Sequence, residues 1–247
     1  MDAPRSTGDK LAVVYGYSLP DGAHPVEGEP VSVDAGGDRP VEAIDAGEVV
    51  GLPRHGFDRA VPAPLVDHRA NVTALCELGC GRVLALASAG SLRADLPVGS
   101  FLCPDDFYAP ETAPSFYVDP RGHSIPGFDP EWREAILSVW GERSETDLID
   151  GGVYAQTIGP RFETPAEVRA LARVADVVGM TLAAETVLAR EAKLSYAAVC
   201  SVDNLANGIS ADPLTLEEYG RGRDQTAAAL AGSLEAVLPG LTAGSGA

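Results

Sequence analysis

The stretch that decides the fold is Gly159-Pro160-Arg161-Phe162-Glu163-Thr164-Pro165-Ala166-Glu167. Glycine and proline open it with a turn, and Thr164 before Pro165 is typical of a helix N-cap followed by proline at the first helical position. The pattern therefore predicts a helix that begins at Pro165, with Phe162 and Glu163 on an exposed turn just before it. An aromatic face beside a carboxylate suits a flat ligand that carries an N–H group.

The residues that follow this turn alternate between strand and helix patterns. An apolar run, a helical stretch and a β-branched run occupy residues 176–181, 183–192 and 195–202. Strand, helix and strand over about thirty residues is typical of a βαβ unit. Ligands bind at the carboxyl ends of the strands in parallel α/β sheets. Met180, Thr181 and Asn204 fall at two such ends, so we expect them in a ligand site.

The chain resembles a known family, the trimeric purine nucleoside phosphorylases and methylthioadenosine phosphorylases. Three blocks carry the resemblance by their order and spacing: G-P-R-F-E-T-P-A-E (159–167), V-G-M-T (178–181) and V-D-N-L-A (202–206). The resemblance covers residues 11–238; it is strong in 159–208, good in 52–103, and thin in 20–50 and after 209. It implies an α/β fold, with a single domain built on a mixed central β-sheet flanked by helices, and a homotrimer.

The remaining segments complete this outline. Strands are predicted at 11–15, 82–87 and 151–158, edge strands and turns at 20–48, and helices at 67–78, 131–140 and 215–237. Asp212 and Pro213 are expected to cap and start the last helix. We expect a disordered N-terminal segment at 1–10, a nucleoside phosphorylase-like domain at 11–238 and a flexible tail at 239–247.

The composition narrows the class of protein. A length of 247 residues suits one large α/β domain, and a formal net charge of −18 repels a phosphate backbone, which argues against nucleic-acid binding. Residues 1–10 are polar, and no apolar run approaches the length of a membrane span. The four cysteines lack metal-like pairing with the histidines, so we expect buried free thiols and a cytoplasmic protein.

The resemblance implies a phosphate site. Its candidate residues are Ser18, Arg54, His55, Ser88 and Thr181. A guanidinium fork and an imidazole donor can share the oxygens of a dianion. The family's first strand runs into a Gly-Gly-Thr-Gly loop that holds phosphate, whereas this chain has Tyr15-Gly16-Tyr17-Ser18. Tyr17 replaces the threonine, so either Ser18 supplies the hydroxyl one place later or the bulky loop weakens phosphate binding.

The resemblance also implies how the nucleoside is held. Phe162 would pack against the base, and Met180 would lie under the ribose. His123 would reach into the neighbouring subunit's site near the sugar 5′ group. Leu216 and Tyr219 take the places that line the 5′ pocket, where apolar residues accommodate a 5′-methylthio group.

Two residues are expected to select the base and, with His55, to form the catalytic set. Asn204 takes the place where the family carries Asn for 6-oxopurines and Asp for adenine, because a carboxamide can donate to O6 and a carboxylate can only accept. Glu163 suits a base whose N1 carries a hydrogen. Both favour a 6-oxopurine, and Asn204 would stabilise the departing base. Asp203, beside Asn204, could shift this preference.

The sequence therefore predicts phosphorolysis of a 6-oxopurine nucleoside, with the methylthioinosine phosphorylases as the closest members and the inosine and guanosine phosphorylases next. Inorganic phosphate is the expected co-substrate, and no metal or cofactor is expected. Three alternatives stay open. They are a 5′-methylthioadenosine or other 5′-deoxyadenosine phosphorylase, a hydrolase that uses water, and a nucleoside-binding homologue without turnover.

Overall fold

The structure is a computed structural model, and it describes residues 2–211 and 214–243. The strands are β1 (Lys10–Tyr15), β2 (Glu29–Val33), β3 (Val41–Asp45), β4 (Val49–Pro53), β5 (Cys80–Ser91), β6 (Phe101–Cys103), β7 (Asp106–Tyr108), β8 (Leu148–Asp150), β9 (Val153–Gln156), β10 (Val177–Gly179) and β11 (Ser195–Leu205). The helices are α1 (His68–Glu77), α2 (Pro130–Arg143), α3 (Pro165–Leu171), α4 (Leu182–Ala192) and α5 (Leu216–Ala243).

All described strands belong to one mixed sheet, in which the long strand β5 is central. The order along the main path is β2-β3-β4-β1-β5-β10-β9-β7, while β11 pairs with β5 and β6, and β6 with β8. One edge of β5 pairs with β11 from Arg82 to Ser91. The other edge pairs with β1 up to Ala85 and with β10 at Gly90 and Ser91. The backbone between these two partners is therefore left open on that edge.

Helices cover both faces of the sheet, which confirms the predicted fold class. On one face, Val72 and Leu75 of α1 pack with Leu188 of α4. On the other face, Trp140 of α2 packs with Leu234 of α5. The central strands are almost wholly buried, as expected for strands covered on both sides.

The unit β10-α4-β11 differs from the prediction in its geometry. Strand β10 is antiparallel to β5, whereas β11 is parallel to it. The two strands flank β5 on opposite edges, so they do not form a parallel βαβ unit. Strands β5 and β11 are also longer than predicted, so Ser88 and Asn204 lie within strands and not after them.

The ends of the chain differ from the predicted boundaries. Helix α5 continues to Ala243, so residues 239–243 are helical, and 244–247 lie outside the described residues. The predicted cap at Asp212 and Pro213 also lies outside them. Residues 2–9 contain no helix or strand, yet Ala3 is buried and the backbone of Gly8 packs tightly against Gly79. Part of the segment predicted to be disordered is therefore packed.

Helix α5 is long and apolar enough to cross a membrane by length and composition alone, contrary to the expectation that no segment approaches that length. Its Leu230, Leu234 and Val237 are buried in the core against the sheet. A core helix passes the same test, because burial and a membrane both favour apolar side chains.

Candidate active site

A cavity of about 300 Å³ opens at the edge of β5 between the end of β1 and β10. It brings together eight of the predicted site residues: Arg54, His55, Ser88, Phe162, Glu163, Met180, Thr181 and Asn204. Side chains from several parts of the chain reach it because β5 has no strand partner on that edge between Ala85 and Gly90. Tyr17, Asn207, Tyr219 and Arg223 also line it.

The turn before α3 presents Phe162 and Glu163 to the cavity. Thr164 and Glu167 form a capping box, so the predicted start of the helix at Pro165 is confirmed. Phe162 is partly exposed and its ring contacts that of Tyr219, with 5.3 Å between centroids. The prediction of an exposed Glu163 is wrong, because the turn folds the side chain inward.

Glu163 is held by contacts that the sequence did not reveal. Its side chain is buried, and Oε1 accepts a hydrogen bond of 2.5 Å from the hydroxyl of Thr157. Its backbone oxygen accepts from Asn207 Nδ2 at 3.4 Å. Thr157 follows β9 by one residue and carries no pattern that marks it as part of a site. One carboxylate oxygen of Glu163 is thereby oriented before any ligand arrives.

Asn204 and Asp203 have different surroundings, although they are neighbours on β11. Asn204 lines the cavity, and its Nδ2 donates to the oxygen of Leu205 at 3.0 Å. Asp203 is fully buried and accepts hydrogen bonds from the hydroxyls of Ser88 and Thr226. Burial raises the pKa of Asp203. Asp203 does not line the cavity, so its carboxylate is not offered there beside the amide of Asn204.

Arg54 reaches the cavity but is already paired. Its Nε and Nη2 donate to the two carboxylate oxygens of Glu185, the second at 3.0 Å, and Nη1 donates to the oxygen of Leu86 at 2.9 Å. Tyr196 donates to Glu185 at 2.7 Å. Burial alone would raise the pKa of Glu185, but the guanidinium of Arg54 holds it well below its usual range. The sequence signal for Glu185 is a carboxylate among the apolar residues of α4, on the face that is buried.

His55 is neutral in this site. Burial and the neighbouring charge of Arg54 lower the pKa of His55 to about 4. Its Nδ1 lies 2.7 Å from the oxygen of Val61, and since a carbonyl only accepts, Nδ1 carries the hydrogen. Nε2 of the neutral ring is then an acceptor. The expected imidazole donor would therefore face Val61 and not a phosphate.

The loop after β1 places Tyr17 in the cavity and Ser18 outside it. The Tyr17 ring lies 4.8 Å from that of His55, and its hydroxyl donates to the oxygen of Arg59 at 3.1 Å. Ser18 is fully buried, does not line the cavity, and its hydroxyl has no hydrogen-bond partner among the described residues. The structure therefore does not bring Ser18 to the site, although Tyr17 beside it lines the cavity.

Two predicted nucleoside contacts lie away from the cavity of their own chain. Leu216, the first residue of α5, is 78% exposed and is not among the lining residues. Leu214 and Tyr219 line that side instead. His123 is exposed on the loop after residues 120–122 and does not line the cavity either.

Sequence comparisons find similar proteins that cover most of this chain. The model of the phosphorylase superfamily matches residues 19–239. A probable 6-oxopurine nucleoside phosphorylase of Archaeoglobus fulgidus is 39% identical over 178 residues, which cover 72% of this chain and 73% of that protein. A probable S-methyl-5′-thioinosine phosphorylase of Methanocaldococcus jannaschii is 40% identical over 176 residues, 69% of each chain.

A solved structure is similar over nearly the whole fold. It is methylthioadenosine phosphorylase from Schistosoma mansoni in complex with adenine, with a TM-score of 0.77. The likeness covers 95% of this chain and 91% of that chain at 23% sequence identity. At this identity the likeness concerns the fold.

Proposed function

The chain belongs to the phosphorylase superfamily, and we propose that it cleaves the N-glycosidic bond of a 6-oxopurine nucleoside with phosphate. The products are the free purine base and a pentose 1-phosphate, so the enzyme is a pentosyltransferase of the purine nucleoside phosphorylase type. The observation that carries the proposal is that Glu163 and Asn204, 41 positions apart by their residue numbers, line one cavity together with Arg54 and His55.

The base is recognised by one acceptor and one amide. Glu163, oriented by Thr157, accepts a hydrogen from N1 of a hypoxanthine or guanine ring. Asn204 contributes an amide that can donate to O6 or N7. Neutral adenine has no hydrogen on N1, so this pair favours the 6-oxopurine. The names of the relatives from Archaeoglobus fulgidus and Methanocaldococcus jannaschii support the same base class.

The chemistry follows from the charges that develop as the bond breaks. Cleavage of a glycosidic bond makes the sugar oxocarbenium-like and leaves negative charge on the departing base. Asn204 stabilises that charge by hydrogen bonding, which lowers the barrier to departure. Phosphate approaches the sugar from the arginine side of the cavity, and its negative charge stabilises the sugar cation.

The 5′ side of the cavity favours a sugar without a 5′-hydroxyl. Leu214 and Tyr219 supply mainly apolar surface there, which suits a 5′-methylthio group. We propose methylthioinosine as the preferred nucleoside, followed by inosine and guanosine. We further propose a homotrimer in which His123 of one subunit approaches the sugar of the next. The four buried, free cysteines fit a cytoplasmic enzyme.

The test is an assay of base release from inosine, guanosine, methylthioinosine and methylthioadenosine, each with and without phosphate. We expect phosphate-dependent release that is fastest with methylthioinosine. Faster release from methylthioadenosine would contradict the assigned base preference. Undiminished release without phosphate would instead identify a hydrolase. The bulky Tyr17 in the loop after β1 and the pairing of Arg54 with Glu185 favour this outcome. Nucleoside binding without any release would contradict an enzymatic role.

A further inference from the structure

The cavity is poor in free positive charge, although the proposed reaction needs a phosphate dianion in it. Two arginines, Arg54 and Arg223, are among its described lining residues. The charge of Arg54 is balanced by Glu185, which it contacts through two hydrogen bonds inside the protein. The chain as a whole carries a net charge of −18. A bound anion therefore needs a local cation whose charge is not already neutralised.

The hydroxyl and imidazole groups near Arg54 do not replace the missing positive charge for a bound anion. The hydroxyl of Ser88 donates its hydrogen to Asp203, and Ser18 lies outside the cavity. His55 is neutral and uses its N–H for Val61. Thr181 still offers a hydroxyl that lines the cavity. One hydroxyl is a weak anchor for a dianion, because strong anion contacts require charged or bidentate donors.

Arg223 is the second arginine, and its carboxylate partners are exposed. It lies one helical turn after Tyr219 on α5, and both line the cavity. Its Nη2 lies 2.9 Å from Asp224 and 3.6 Å from Asp21, whose side chains are 72% and 74% exposed. Ion pairs with such exposed carboxylates contribute little free energy. The guanidinium can therefore exchange them for a better anion.

Arg223 contacts a different segment of the chain from the one that carries the base-binding carboxylate. Asp21, its more distant partner, belongs to the loop that follows β1 and includes Tyr17. Glu163 lies instead at the turn before α3, held by Thr157 and Asn207. A dianion in the cavity is repelled by Glu163 and attracted by Arg223. The charges thus favour an anion near the loop after β1.

We propose that Arg223 binds the phosphate co-substrate, as the cation that compensates for the missing hydroxyl donors of the loop after β1. This inference rests on the proposed phosphorolysis. Asp21 competes with phosphate for the same guanidinium. A planar fork suits this role, because it offers two parallel N–H donors to two phosphate oxygens.

The test compares Arg223→Gln with Arg221→Gln, since Arg221 is exposed on the same helix and does not line the cavity. We expect Arg223→Gln to raise the KM for phosphate by about 10- to 100-fold, the loss of one charge-assisted contact. The KM for the nucleoside should change by less than about 2-fold, and Arg221→Gln should behave as the wild type. Asp21→Asn should lower the KM for phosphate. An unchanged KM for phosphate in Arg223→Gln, or an equal rise in Arg221→Gln, would overturn the proposal.

Binding measured without turnover separates this proposal from the proposed function. Titration calorimetry with inorganic phosphate should show weaker binding to Arg223→Gln and partial recovery in Arg223→Lys, which keeps the charge but not the fork. If the wild type binds phosphate in this way but releases no base, the proposed function fails and the role of Arg223 stands. Inosine 5′-monophosphate serves as a second probe. If Arg223→Gln weakens only the binding of this nucleotide, the anion belongs to the nucleoside, and the assignment to free phosphate is wrong.

Discussion

Arg54 and Glu185 form a bidentate ion pair beneath the cavity, although 131 positions separate them in the sequence. Both side chains are almost fully buried. Tyr196 donates a further hydrogen bond to Glu185. Arg54 is thus held in place, and the ion pair connects strand β4, which ends just before Arg54, to helix α4.

Glu185→Ala should strongly destabilise the protein. The substitution leaves the guanidinium of Arg54 buried without a counter-charge, and breaking a buried pair in this way costs about 3–5 kcal/mol. Urea denaturation measures the free energy of unfolding. Glu134→Ala, at an exposed position of α2, is the control and should change it by less than about 0.5 kcal/mol. Equal effects of the two substitutions would show that the pair is not stabilising.

His55 should make the stability depend on pH. Its pKa is about 4 in the folded protein against 6.5 for a free histidine. Between these values the unfolded chain binds more protons, so the free energy of unfolding falls as the pH drops from 6.5 towards 4. The contribution of one such group reaches about 1.4 kcal/mol per pH unit. In His55→Gln this part of the slope should be absent, as measured by denaturation at several pH values. His123→Gln, which replaces an exposed histidine, is the reference variant. A slope in His55→Gln equal to that of the wild type and of His123→Gln would contradict the prediction.

Asn204→Asp should shift the preference towards a 6-aminopurine. A carboxylate accepts from the amino group of adenine but offers no hydrogen to O6. We expect the ratio of kcat/KM for methylthioadenosine to that for methylthioinosine to rise by at least about 10-fold. Asn207→Asp places a similar charge in the same cavity and is the matched control. If both variants shift the ratio equally, the effect comes from charge alone, and the role assigned to Asn204 is wrong.

Thr157→Val should weaken the use of 6-oxopurines. The substitution keeps the shape of the side chain but removes the hydroxyl that orients Glu163. We expect kcat/KM for inosine to fall by about 10-fold, consistent with the loss of one hydrogen bond to a charged group. Thr157→Ser should restore most of the activity. Release of base from methylthioadenosine should change less, because adenine does not use an N1–H contact. A uniform loss with all substrates, not rescued by serine, would indicate a purely structural role.

Much of the site was predictable because its signals are local. Thr164, Pro165 and Glu167 specify the start of α3 through their own backbone and side-chain contacts. The apolar runs predicted the central strands, and eight of the predicted site residues met in one cavity. Sequence neighbours decide caps, turns and periodicity, so a single sequence is sufficient to place them.

The remaining features depend on which distant segments meet. The pairing of Arg54 with Glu185, the burial of Ser18 away from the cavity, the antiparallel β10 and the approach of Arg223 carry no local pattern. The sequence by itself determined the start of α3, the central strands and the membership of the family. Only the tertiary structure decided which of the predicted donors are free to bind a ligand, because a hydrogen bond or a charge that is satisfied by a distant residue is no longer offered to the cavity.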